Sequence, residues 1–219
     1  MAAARRGRLL HELYQRLWEV WGAQGWWPGE TPFEVAVGAI LTQNTNWNNV
    51  ALAIGALKEQ QVLEPQALSD LPETELARLI RPAGYYNIKA KRLKNFLNFL
   101  GNHYQNSMAV MAADTLENLR PGLLTVKGIG PETADSILLY GLDKPTFVVD
   151  AYTFRILSRH NLIPETYTYE ELRQLFMDQL PSQVSLFQEY HALLVRLGKV
   201  WCRPKLQCDS CPVQGWPEE

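Results

Sequence analysis

Cysteine is scarce in this 219-residue chain: three residues, all between Cys202 and Cys211. An odd count in so short a span favours metal or cluster chemistry at one place over a disulfide. Long hydrophobic runs are also missing. The apolar stretch Val35 to Leu41 falls far short of the roughly 20 residues that span a bilayer, and the opening MAAARRGRLL carries no secretory core or cleavage site. These absences predict a cytoplasmic protein with no membrane partner. Charge of one sign is lacking too, the formal net charge being -2. Wholesale attraction to nucleic acid is therefore excluded, and any contact with DNA must come from a local basic surface. Strict apolar/polar alternation, fixed-period repeats and Gly/Ser linkers are absent, which argues against strands, solenoids and loosely tethered domains.

What is present is helical periodicity. Apolar residues recur at three- and four-residue spacing in Leu9–Val20, Pro32–Leu41, Val50–Leu57, Thr74–Ile80, Ile88–Leu100, Thr133–Leu139, Ala151–Ser158, Tyr169–Leu180 and Leu186–Leu197. Gly- and Pro-containing breaks separate them, at Gly25–Gly29, Arg81–Gly84, Gly128–Pro131 and Gly141–Pro145. The pattern predicts an all-α fold of about ten short helices, and 47% hydrophobic composition is enough for one sizeable core or two small lobes.

Two segments carry chemistry. Leu116 to Leu139 reads LENLRPGLLTVKGIGPETADSILL, a Gly-Ile-Gly turn between two helical stretches with Pro131 suited to a first helical position. Glycines let a backbone approach a ligand, a helix start offers N–H groups and a positive dipole end, and Lys127 adds a full charge, so Lys127, Gly128, Ile129 and Gly130 are expected to grip a DNA phosphate. A plain helix-to-helix turn would also use a glycine and a proline there. About twenty residues later FVVDAYTFRILSRH ends an apolar run in Asp150 just as a helix begins. An aspartate there is an ordinary N-cap. It is also a fixed carboxylate, able to stabilise positive charge on a sugar and to orient or deprotonate a water.

The pairing of VKGIGPETAD (Val126–Asp135) with VVDAYTFR (Val148–Arg155), supported by PFEVAVGAILTQNT (Pro32–Thr45), AGYYNIKAKRL (Ala83–Leu93) and the cysteine segment, resembles the helix-hairpin-helix, Gly/Pro loop and catalytic Asp of the endonuclease III superfamily of DNA glycosylases. The resemblance implies a two-lobed helix-hairpin-helix glycosylase fold. Residues 1–31 with 146–219 would form one lobe and 32–145, carrying the hairpin at about 115–141, the other, with the damaged base held in the cleft between them. It further implies a monomer acting on double-stranded DNA, with Asp150 as the catalytic carboxylate.

Family members that also cut the backbone carry a lysine two residues after the second hairpin glycine, where its amine attacks C1′ and forms a Schiff base. Glu132 stands at that position here. A carboxylate forms no imine, so the expectation is a monofunctional enzyme in which water attacks the sugar; an acid in a first helical turn is also simply favourable with the dipole. Trp26, Trp27, Pro28 and Trp47 fall where the family lines its base pocket, and with Glu132 they make up the expected pocket. Indole faces attract cationic alkylated purines such as 3-methyladenine, which points to the 3-methyladenine branch. Trp26 and Trp27 could equally be lobe-packing aromatics. Gln43 and Asn44 are candidates to fill the gap left by the flipped base, and Lys89 and Lys91 belong to a basic cluster placed near DNA. Cys202, Cys208 and Cys211, as C-x5-C-x2-C, resemble the family's four-cysteine [4Fe-4S] loop with one cysteine missing; a cluster, zinc and a packing relic all stay open. Two competing readings are a glycosylase/lyase acting on oxidised pyrimidines and a non-catalytic DNA-binding module.

Overall fold

In the computed structural model, which describes residues 3–205 and 207–217, every regular element is helical. There are twelve α-helices among the described residues: α1 (Ala3–Trp21), α2 (Pro32–Leu41), α3 (Trp47–Glu59), α4 (Pro65–Asp70), α5 (Glu73–Leu79), α6 (Tyr86–Tyr104), α7 (Met108–Ala112), α8 (Leu116–Thr125), α9 (Pro131–Ser136), α10 (Ala151–Arg159), α11 (Tyr169–Gln179) and α12 (Val184–Val200). A 3-10 turn at Arg81–Ala83 precedes α6, and a π-helical turn at Ile137–Gly141 prolongs α9. None of these helices is long and apolar enough to cross a membrane. The all-α expectation holds. The two additional short helices, α4 and α7, span only six and five residues. That is less than two turns, too few for a 3.6-residue period to register.

The chain divides into two compact units. One runs from Trp27 to Lys144; the other combines the residues up to Trp26 with those from Pro145 onward. In the Trp27–Lys144 unit, α2 is the central element, with every residue from Phe33 to Leu41 buried. Thr31 starts it by accepting a hydrogen bond from the Glu34 amide, with Pro32 in the first turn. Helix α6 lays Ala90, Leu93, Phe96, Leu97 and Leu100 into the same core, the i, i+3, i+4, i+7 stripe of an amphipathic helix.

In the other unit, α12 packs against α1 and α10, and α1 also packs against α11. Its centre is aromatic. Phe147 stacks on Phe176 at 3.8 Å and meets the Phe187 and Tyr190 rings edge-on, while the buried Tyr190 hydroxyl donates to the Leu10 carbonyl at 2.7 Å. That bond meets the requirement that a buried hydroxyl find a partner.

Candidate active site

The hairpin is built from α8 and α9. Arg120 of α8 grips Asp135 of α9 in a two-pronged pair, Nε to Oδ1 at 2.9 Å and Nη2 to Oδ2 at 3.0 Å, with the Asp135 side chain fully enclosed. Paired, fork-to-fork geometry is the form in which a buried charge pair fixes orientation. Between the helices Gly128 adopts φ +97°, a region that L side chains rarely enter. Ile129 is buried, and its amide already donates to the Val126 carbonyl. The hairpin thus presents Lys127 and Gly130 to solvent and uses Ile129 as an apolar anchor, rather than as the exposed contact expected from sequence. Glu132 is exposed in the first turn of α9.

Asp150 lies at the start of α10 and is its N-cap. Oδ1 accepts from the Thr153 amide at 2.7 Å and from the Thr153 hydroxyl at 2.8 Å. Oδ2 lies 3.7 Å from Nε2 of His191, a buried residue of α12. Burial pushes the Asp150 carboxyl up, but His191 and the two Thr153 bonds outweigh it, so it is held below the ordinary aspartate range. The result is an enclosed, ionised carboxylate. His191 was not singled out from the sequence. Its only signal is a polar residue within the Phe187, Tyr190, His191, Leu194 stripe of α12, where a lone histidine reads as core.

Trp27 meets Trp47 edge-on at 5.5 Å and lies 5.2 Å from the Tyr140 ring, over a floor at Gly38, where a β-carbon would sit 3.5 Å from both indoles. Trp26 instead lies beneath Lys199 of α12, whose ammonium is 5.2 Å from the ring centroid, a cation-π distance. The structure thus brings Trp27 and Trp47 together and sets Trp26 under Lys199. Pro28 is exposed.

The expected basic cluster on α6 dissolves on inspection. Lys89 is only 1% exposed, and its ammonium donates to the Leu41 carbonyl at 2.8 Å and the Ala83 carbonyl at 2.7 Å. It is not a surface cation, and burial together with the neighbouring Arg92 charge lowers its pKa to about 8. Lys94 caps α4, donating to the carbonyls of Leu68, Ser69 and Leu71. Lys91 alone of the three lysines remains exposed. Gln43 is half-buried, its amide nitrogen donating to the Gly128 carbonyl at 3.0 Å and to the Thr133 hydroxyl at 2.9 Å. Asn44, next to it, is exposed with φ 54°.

Arg155 and Arg159 of α10 fasten the cysteine segment, donating to the carbonyls of Cys202 and Gly198 and of Arg203 and Pro204 respectively. Cys202 is buried, Cys211 partly so and Cys208 exposed. Near the place of the missing fourth cysteine, Trp216 is buried at 3% exposure, its ring 5.1 Å from His160 and its carbonyl 2.6 Å from His160 Nδ1. Among the described residues no three His, Cys, Asp or Glu side chains converge closely enough to hold a metal ion. With three cysteines the segment is one thiolate short of a four-thiolate cluster, and Trp216 near the expected fourth position supplies no metal-binding donor.

The chain matches the model of the HhH-GPD superfamily base excision DNA repair proteins over residues 37–182. It is 49% identical over 208 residues to a protein of Methanocaldococcus jannaschii named as a DNA repair glycosylase, with 94% of both chains covered. It is 30% identical over 181 residues to endonuclease III of Thermotoga maritima, covering 82% of this chain and 79% of that one. Among solved structures it resembles the Helicobacter pylori 3-methyladenine DNA glycosylase bound to 1,N6-ethenoadenine, with a TM-score of 0.75, 28% identity and coverage of 91% of this chain and 98% of that one. A non-covalent endonuclease III–DNA complex shares the fold at a TM-score of 0.80 and 20% identity, covering 94% and 92% of the two chains. The chain belongs to the HhH-GPD superfamily and is a DNA repair glycosylase.

Proposed function

We propose that this chain is a monofunctional glycosylase that hydrolyses the glycosidic bond of an alkylated purine, such as 3-methyladenine, flipped from duplex DNA. The observation that carries the substrate class is the Trp27–Trp47–Tyr140 cluster over Gly38. Electron-rich rings suit a cationic base, for which stacking contributes about 1 to 3 kcal/mol. The likeness to a solved 3-methyladenine DNA glycosylase supports the same reading. A cationic base is already a good leaving group, so the enzyme needs little acid catalysis at the base.

Asp150 is the catalytic carboxylate in this proposal. Held ionised by His191 and Thr153, it stabilises the positive charge that develops on the sugar as the bond to the base breaks. It also orients the incoming water and accepts its proton, leaving a C1′ hydroxyl on the sugar and a released base. Glu132 in the first turn of α9 offers no amine for imine formation. Lys127 and Gly130 meet the DNA backbone, with Asn44, Gln43 and Lys91 contributing from neighbouring loops and α6.

The test is incubation with a panel of single-lesion duplexes, with identification of the released base and borohydride trapping alongside. Release of methylated purines without a trapped adduct is expected. Release of an oxidised pyrimidine alone would overturn the substrate class, and a trapped enzyme–DNA adduct would overturn the monofunctional mechanism.

A further inference from the structure

The polar residues Lys89, Arg92 and Asn95 follow one another at three-residue spacing on α6, beside its buried stripe. Each reaches a different partner outside the helix. Lys89 holds the Leu41 carbonyl at the end of α2 and the Ala83 carbonyl of the turn before α6. Arg92 donates from Nη1 to Oε1 of Gln43, and Asn95 donates from Nδ2 to the Lys127 carbonyl at 2.8 Å. Gln43 closes the circuit by donating to the Gly128 carbonyl and the Thr133 hydroxyl. Arg92 also occupies the space over Gly128, where a β-carbon would collide with its Cγ.

Three loops are thereby tied to one rigid element: residues 42–45, the turn that ends in the 67% exposed Tyr85, and the hairpin at Lys127–Gly130. Helices hold such constellations more accurately than loops do by themselves. Gln43 has both ends of its amide bonded, so its orientation is set by Arg92 on one side and the hairpin on the other.

We infer that Arg92 is a positioning residue for DNA recognition, acting through Gln43 and the seat it makes over Gly128 rather than by contacting phosphate itself. The inference rests on the reading that Gln43 meets DNA, and it is independent of which base is released. A cation half-buried against a loop would ordinarily be taken for a phosphate ligand. The two roles differ in a measurable way: a direct phosphate contact releases counterions, whereas a positioning role does not.

The experiment measures binding to a duplex containing a tetrahydrofuran abasic-site analogue across a salt series, for wild type, Arg92→Ala, Gln43→Ala and the double variant. Arg92→Ala is expected to weaken binding about tenfold, within the range for coupled contacts. The slope of log K against log salt should stay at the wild-type value, and the double variant should bind no worse than the weaker single one. Arg92→Lys, which keeps charge and the stem over Gly128, guards against a folding defect; it should lie between wild type and Arg92→Ala. A slope shallower by about 0.9, with losses that add in the double variant, marks a direct phosphate ligand and overturns the inference. Full binding by Arg92→Ala beside a defective Gln43→Ala overturns it while leaving the contact of Gln43 with DNA intact. Full binding by Gln43→Ala removes the reading beneath it.

Discussion

His191 Nε2 lies 3.7 Å from Asp150 Oδ2, so the first turn of α10 and the middle of α12 meet at a carboxylate and an imidazole, both largely withdrawn from water. Burial alone would raise the Asp150 carboxyl, and the imidazole is the first of the groups opposing it. Replacing His191 with Leu stays close to its volume and removes that opposition. The acid limb of the single-turnover excision profile should then move to higher pH. An unmoved acid limb would show that His191 does not keep Asp150 charged. The sign for stability follows: with its folded value depressed, the Asp150 carboxylate stabilises the fold above its unfolded value near 3.9. That contribution is lost as pH falls through the folded value.

Asp150 caps α10 and is assigned the chemistry, and two substitutions separate these tasks. Asp150→Asn retains an oxygen for the Thr153 amide and should leave folding and DNA binding largely intact while abolishing base release. Asp150→Ala also loses the cap, and should cost a further 0.5 to 2 kcal/mol or so in denaturant unfolding. Normal excision by the Asn variant would remove Asp150 from the mechanism.

The ring contact of Trp47 with Trp27 and the cation over Trp26 predict unequal effects. Trp47→Ala removes a ring from the Trp27 cluster and should reduce kcat/KM for 3-methyladenine by the equivalent of about 1 to 3 kcal/mol. Trp26→Ala removes the ring under Lys199 and should change that ratio much less. Equal losses in the two variants would count against a pocket centred on Trp27 and Trp47.

For the cysteine segment, the anchor is Trp216. Anaerobically purified protein should be free of iron and without absorbance near 400 nm, and Cys208→Ser should leave thermal stability unchanged. Trp216→Ala should release the part of the segment that Arg155 and Arg159 do not hold, seen as new cleavage sites beyond Pro204 in limited proteolysis. Stoichiometric iron would refute this account of the segment.

The helices were legible in the sequence wherever an apolar stripe ran for two turns or more, as in α6 and α12. The hairpin was legible from Gly128, Gly130 and Pro131 because those residue types are tied to backbone geometry. Lys89 was misread for a physical reason: a lysine in a run of lysines carries no mark of burial, and only the carbonyls of Leu41 and Ala83, 48 and six residues distant in sequence, reveal it. His191 was invisible for the same cause, since its partner Asp150 is supplied by another helix. Trp26 and Trp27 enter the expected pocket through the family resemblance, and no sequence signal marks that the boundary between the two compact units falls between them.

Gly128 has two obligations, a left-handed backbone and an empty side-chain position under Arg92. Mutating it is therefore an ambiguous probe of phosphate binding, because any substituent there also unseats Arg92 and with it Gln43. Gly130 is the cleaner probe. Its φ is -94°, and nothing lies within 4 Å of the place a β-carbon would take. A methyl group added at that position disturbs what approaches the hairpin from outside and nothing the hairpin holds within.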